Sequence, residues 1–510
     1  MGGNMRSESR RLLLKTLAGA VAAANLPVSL ALSQRALPDL KRGAALITHN
    51  QLPWALETRR SYFGRAPITP ISDFFVRNNL PLPPANLTAE GDRWTFAVRG
   101  CATEGQLSVA DLKRMPTITV ASVLQCSGNG RDFFTHNPAG SQWSVGAAGC
   151  ALWTGVPVAE IFNRFGGTAD DAAFLTATGG ELLPEGIDPD SISVERSVPI
   201  AKGLKDCLLA FEMNGAPLPA IHGGPVRLIV PGYFGVNNVK WVRTLSASPG
   251  ESQAKIQVSG YRMRPEGEPG TPNHPSMWRM PVKSWFVGAE TEGEPILAGP
   301  NTLHGVAFSG ERGIRAVELS ADGGSSWQEM RLRGPDLGPN AWRTFEARLD
   351  IPPGQHQFFS RAVDQTGDRQ PETAEANHRG YGHNGWRDHG IRIRAVDKKN
   401  PSDQAPPAME RTQPAVAAPQ SHPDRTLSPQ AGEGKRLFGE TATPSCGVCH
   451  TLGDAQAAGI VGPNLDNLQP TLEQVRNAVR QGVGAMPAYA SQLSEGEIEA
   501  LAAYVVEVTQ

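Results

Sequence analysis

The chain has 510 residues with a net charge of −2, and hydrophobic residues make up 40% of it. That is too apolar for a disordered chain, long enough for about three domains, and too near neutral to point to nucleic acid as a partner. Its 55 glycines and 42 prolines favour strands, turns and irregular loops over long helices.

At the N-terminus Arg6, Arg10 and Arg11 precede an apolar run, residues 12–24, that is too short to span a bilayer. Ser9-Arg10-Arg11-Leu12-Leu13-Leu14-Lys15 looks like a twin-arginine export signal, with cleavage expected at Ser29-x-Ala31. Residues 1–31 therefore read as a signal for the periplasm. That route carries folded proteins, which suits a chain that takes up a cofactor before export. No later stretch reaches membrane-spanning length, so no membrane span is predicted in the mature protein.

Residues 37–255 mix short strands with helical stretches. Residues 93–99 alternate as a strand, while 109–114 and 157–165 have helical spacing. Residues 226–230 read as a buried strand closed by the Pro231-Gly232 turn. This first body is predicted to be α+β. In residues 256–396 the strand-like segments are 305–309, 315–320 and 356–363. Asp322-Gly323-Gly324 marks a hairpin turn between 316–320 and 327–332, and the spacing predicts an immunoglobulin-like β-sandwich. Residues 397–430, rich in Pro, Ala, Gln and Ser, read as a linker. Residues 431–510 are predicted all-α, with helices over 471–480 and 494–508, the second capped by Ser494 with Glu497 three residues on.

Of the six cysteines, only Cys446 and Cys449 form a close pair. Cys101, Cys150 and Cys207 read as small buried hydrophobes, with a disulfide as the alternative. Cys446-Gly447-Val448-Cys449-His450 is the C-x-x-C-H signature of covalent c-type heme attachment. Two thiols at this spacing form thioethers with the vinyl groups on one porphyrin edge, and the adjacent histidine falls under the iron. The other axial ligand is assigned to Met486, the one methionine in this body, in the loop Gly484-Ala485-Met486-Pro487-Ala488-Tyr489. With Val461-Gly462-Pro463-Asn464-Leu465 between the ligands, the segment resembles small class I c-type cytochromes. Methionine ligation raises the heme potential, as an electron acceptor requires. From Ser428 onward there are nine acidic and four basic residues. That excess is either solvated surface or a charge that steers docking onto a basic mouth.

In Leu124-Gln125-Cys126-Ser127-Gly128-Asn129-Gly130-Arg131 a cysteine follows an apolar run in a glycine-containing loop. On residue types alone it is either a soft-metal ligand or a buried structural cysteine. The segment resembles the C-x-G-N-x-R loop of the sulfite oxidase family, and the resemblance extends over most of residues 50–395. It is carried by Phe74-Phe75-Val76-Arg77-Asn78-Asn79-Leu80-Pro81, by Trp143-x-x-Gly146-Ala147 and by Ala210-Phe211-Glu212-Met213-Asn214-Gly215. His222-Gly223-Gly224-Pro225-Val226-Arg227, Val239-Lys240-Trp241 and Ser320-Ala321-Asp322-Gly323-Gly324 continue it.

The resemblance implies a molybdenum-molybdopterin cofactor with Cys126 as the protein ligand to the metal. It places His222, Arg227 and Lys240 at the pterin and its phosphate, where cationic donors fit. Arg77, Arg131 and Arg379 match the family's anion-binding arginines, Tyr261 its active-site tyrosine and Trp143 an aromatic wall of the pocket. Asn79, grouped with the cofactor-binding residues, stands where family members commonly have histidine, and asparagine does not titrate. That leaves the pH profile and substrate affinity open.

The function implied is oxidation of sulfite to sulfate at a molybdenum-oxo centre. Electrons would pass one at a time to the fused heme c and on to an external cytochrome. A tethered heme has an effective concentration of about millimolar. The sandwich resembles the family's dimerisation domain and implies a homodimer. Two other readings remain: a relative acting on another sulfur compound or oxyanion, and an electron-carrier cytochrome on an inert scaffold.

Overall fold

Strands carry side chains to alternate faces, so a strand buried at every position must be covered on both sides. Ile118–Gln125 reaches that state along its length: it starts exposed, and its last four residues are buried. The computed structural model describes residues 45–51, 53–64, 66–183, 188–287, 295–398, 427–459, 461–483 and 486–510. The expected signal, residues 1–31, and most of the expected linker lie outside them.

Ile118–Gln125 pairs antiparallel with Ala148–Pro157, and that strand with Leu208–Met213, which also carries Ala216–Pro217 and Arg227–Ile229. A second sheet runs in the order Gly105–Ser108, Thr95–Arg99, Thr244–Ser248, Phe174–Thr178, Glu195–Pro199. Trp94, Phe96, Leu175, Leu209, Leu228 and Leu245 form a core that draws on both sheets. The helices Val158–Arg164 and Ile200–Asp206 have seven residues each, so this body is mostly β. The expected strand over 93–99 begins at Thr95, because Gly91–Arg93 makes a 3-10 turn before it. A small sheet of Leu46–Gln51, Trp54–Thr58 and Val76–Arg77 carries Arg77.

The sandwich pairs the sheet Val282–Val287, Gly299–Ser309, Arg343–Ile351, Arg331–Arg333 with the sheet Ile296–Leu297, Ile391–Val396, Gly354–Asp364, Ile314–Ser320, Gln328–Glu329. Phe286, Phe345, Val317 and Phe358 meet between them. The expected hairpin forms, but its second strand divides. Gln328–Glu329 pairs with Ile314–Ser320, Met330 is buried at the crossing, and Arg331–Arg333 joins the opposite sheet.

In the C-terminal body, Ser494 and Glu497 complete a capping box on Glu495–Thr509, and Thr471 and Gln474 do the same on Leu472–Gln481. Pro429–Arg436 crosses the last helix at Gly434, where a Cβ would lie 2.0 Å from the Ala500 carbonyl oxygen. The body is helical apart from a short ladder, Thr451–Leu452 with Ala457–Ala458. All six cysteines are free. Cys150 and Cys207 are buried as expected, but Cys101 is half-exposed, bonded to the Thr103 carbonyl in a surface turn. No described helix is long and apolar enough to cross a membrane.

Candidate active site

The inward run of Ile118–Gln125 delivers Cys126 to the interior, where its N–H continues the ladder by donating to Ala147 O at 2.9 Å. The chain then turns. Asn129 N donates to Cys126 O at 3.0 Å, Gly130 takes a φ of 92°, and Asn129 Nδ2 ties the loop to Val145 O at 3.0 Å. The turn returns Arg131 beneath the loop. Its Nε donates to Arg379 O at 2.9 Å and its Nη1 to Ser141 O at 2.7 Å. A Cβ on Gly128 would lie 2.3 Å from Arg131 Nη2, and one on Gly140 2.8 Å from Nη1. Glycine at both positions makes room for the guanidinium.

Two cavities meet at Cys126. The smaller, about 70 Å³, is lined by Cys126, His222, Arg227 and Lys240, with Arg77, Asn79 and Tyr261 at the shared end. Arg227 donates to His222 O at 2.6 Å and Asn238 O at 2.9 Å, and burial holds its pKa down to about 9. Lys240 Nζ donates to Asn78 Oδ1 at 2.5 Å and Ile221 O at 2.9 Å. Arg227 Nε, Ser127 Oγ and Asn78 Nδ2 are buried without a protein partner. A pocket of cations and spare donors beside a thiol fits an anionic, polar group that also brings a soft metal. Glu181 lines the same pocket and is pushed up to about 8 by burial.

The larger cavity, about 310 Å³, runs from Cys126, Arg77, Asn79, Arg131, Tyr261 and Arg379 to Cys446, Cys449, His450 and Met486. Its far end is walled by Phe438, Leu465, Val475, Val479, Leu501 and Val505, an apolar slot suited to a porphyrin. His450 Nδ1 donates to Pro463 O at 2.9 Å, which leaves the Nε2 lone pair available to a metal. Burial lowers the pKa of His450, favouring the neutral ring that a metal needs. A Cβ on Gly462 would lie 2.5 Å from the His450 ring, so glycine there lets the loop close against it.

At the near end, Tyr261 Oη donates to Asn79 Oδ1 at 3.3 Å, and its ring stacks on Tyr381 with centroids 5.1 Å apart. Burial pushes the Tyr261 phenol up to about 12. Arg131 lies 5.5 Å over the Tyr381 ring. Of the site residues expected from sequence, Trp143 alone lines neither cavity: it is fully buried one layer back, in the cluster that contains Phe74, Phe75 and Cys126. Gly140, Ser141 and Gln142 form the wall instead, while Ser144 and Gly146 donate to Glu57.

Tyr381 was within reach of sequence reading, two residues after Arg379. Lys255 was not. Its Nζ donates to Met486 O at 2.8 Å, a contact between segments 231 residues apart. Arg379 also donates to Gly482 O, so both cations hold the loop that carries Met486.

Comparison with known proteins agrees with this arrangement. Residues 81–256 match the oxidoreductase molybdopterin binding domain, residues 274–395 the Mo-co oxidoreductase dimerisation domain, and residues 429–505 the family described as cytochrome C oxidase, cbb3-type, subunit III. The mitochondrial sulfite oxidase of Homo sapiens is 34% identical over 370 residues, covering 68% of this chain and 66% of that protein, just under two thirds of its length. The sulfite oxidase of Gallus gallus is 32% identical over 354 residues, covering 66% of this chain and 75% of that one. In fold, the sulfane dehydrogenase of Paracoccus pantotrophus matches with a TM-score of 0.55 at 24% identity, covering 78% of this chain and 96% of that one. The chain belongs to the sulfite oxidase family of molybdopterin oxidoreductases and carries a heme c cytochrome domain at its C-terminal end.

Proposed function

We propose that the protein oxidises sulfite to sulfate and passes the two electrons, one at a time, through its own heme to an external cytochrome. The observation that carries this is the single cavity joining Cys126 and three arginines to the C-x-x-C-H segment. Arg77, Arg131 and Arg379 offer guanidinium groups, whose fork of N–H donors holds a small oxyanion. Arg131 does so from a fixed position, because two carbonyls and two glycines define it. Tyr261, kept protonated, donates a hydrogen bond to the anion or to the oxygen being transferred. Cys126 holds the metal, while His222, Arg227 and Lys240 hold the pterin and its phosphate. Cys446 and Cys449 would bind the porphyrin covalently, and His450 and Met486 would hold its iron. The molybdopterin group supplies oxygen-atom transfer, and the heme supplies a one-electron outlet.

We read the protein as periplasmic, from the twin-arginine motif and the covalent heme signature, and as a homodimer through residues 274–395, which match a dimerisation domain. Cys126→Ser tests the central assignment. It is expected to retain the heme spectrum and lose sulfite-driven heme reduction, followed by stopped-flow absorbance. Reduction at the wild-type rate would overturn the role of Cys126. Turnover of another sulfur compound with none of sulfite would transfer the assignment to that substrate.

A further inference from the structure

His49 has no part in the site as assigned so far. Thr48 pairs with Leu56 and Asn50 with Ala55, so His49 is the extra residue of a β-bulge. A bulge re-aims its side chain, and His49 lines the larger cavity together with Asn50, Ala55 and Arg77. Arg77 is the cross-strand partner of Ala55, so these residues form one row across the small sheet. The imidazole meets Trp143 edge-on with centroids 4.7 Å apart, and its Nε2 lies 2.6 Å from Glu57 Oε2.

Glu57 is 2% exposed, and its other oxygen accepts from Ser144 N at 3.0 Å, Ser144 Oγ at 2.6 Å and Gly146 N at 2.8 Å. Those bonds fix the carboxylate and, through it, the ring. The same wall holds Arg131 by way of Ser141. His49 itself keeps 20% of its side chain accessible, and Glu57 engages its Nε2. The charged groups around it among the described residues are Glu57 on the adjacent strand, Asp132 in the turn Arg131–Phe133, and Arg77 and Arg131 lining the same cavity.

Sulfite and water yield sulfate, two protons and two electrons. The electrons leave through the metal and heme to the external acceptor, and the protons need a base. Asn79 does not titrate, and burial holds the Tyr261 proton up to about pH 12. We propose that the His49–Glu57 pair is the titrating group of the oxyanion pocket: neutral His49 takes one of the two protons while the other goes to solvent, and the resulting imidazolium strengthens the hold on the anion until it too passes its proton to solvent. The proposal rests on the sulfite reading above, and it gives the pocket the titratable group that Asn79 lacks.

Sulfate is the probe, because its charge is constant across the range of interest. Calorimetry of sulfate binding to the oxidised holoenzyme, at about pH 6 and about pH 8 in two buffers of different ionisation enthalpy, reads proton uptake directly. Wild type is expected to take up a proton on binding and to bind several-fold more weakly at the higher pH. His49→Gln, which still donates to Glu57, is expected to bind with no proton uptake and no pH dependence, and to lose the matching limb of the kcat/KM profile. Asn79→His in the His49→Gln background is expected to restore both, which separates a lost titration from a lost fold. Proton uptake unchanged in His49→Gln overturns the proposal while leaving the sulfite reading intact. A wild-type protein that neither binds sulfate nor reduces its heme with sulfite overturns both.

Discussion

Single residues decide where charge sits in this pocket. Arg131 is pinned by Arg379 O and Ser141 O, and Gly128 leaves the space its guanidinium fills. Gly128→Ala is expected to displace that guanidinium and raise KM for sulfite by roughly ten-fold, the cost of one charged hydrogen-bonding partner, with little change in unfolding. Steady-state kinetics beside thermal unfolding checks both halves. Lys283 lies fully buried beneath the same loop, donating to Asn129 O at 3.3 Å and His383 O at 2.7 Å. Burial lowers its pKa to about 7, against about 10.4 in an unfolded chain. Between those values the unfolded chain binds a proton that the folded protein does not, so stability rises with pH from about 7 to about 10. Urea unfolding of wild type is expected to show that rise, and Lys283→Met to flatten it.

At the scale of elements, each functional group arrives on a segment with its own local logic. Ile118–Gln125 carries Cys126 inward because its last residues are apolar enough to be covered on both faces. The last helix is set by its first turn, where Ser494 Oγ accepts from Glu497 N and Glu497 accepts from Ser494 N. Ser494→Ala is expected to cost the heme domain about 1 kcal/mol, measured by guanidinium unfolding at the heme absorbance band. This cap was legible in sequence because its signal lies within four residues. The division of the strand after Trp327 was not, since alternation reads the same whether Arg331–Arg333 stays in one sheet or crosses to the other.

Across the whole molecule, the C-terminal body is held to the rest near Gly482 and Met486. Lys255 Nζ bonds Met486 O, Arg379 bonds Gly482 O, and Val461 packs in the core shared with Trp285 and Phe308. Under the proposed function, electrons would cross that contact. Lys255→Met is expected to slow sulfite-driven heme reduction by on the order of ten-fold or more while oxygen-atom transfer assayed with a small dye stays near wild type. Stopped-flow heme absorbance beside a dye-linked assay distinguishes the two. Arg379 lines the cavity with Cys126 and also bonds Gly482 O, so its substitution is expected to affect both readouts.

The sequence by itself determined the chemistry of short motifs: the C-x-x-C-H heme attachment, the Cys126 loop, the turn at Asp322-Gly323-Gly324 and the helix caps. Each is encoded within a few neighbouring residues, where spacing and residue type act directly on the backbone. Tertiary structure alone decided which side chains converge. Arg131 and Arg379 are 248 residues apart yet bonded, Trp143 fell one layer behind the wall, Tyr381 came to stack on Tyr261, and a bulge turned His49 onto the cavity. Convergence depends on which faces pack against which, and packing sums many weak contacts between distant segments. No local pattern records that sum, so the site's motifs were readable in the sequence but its walls were not.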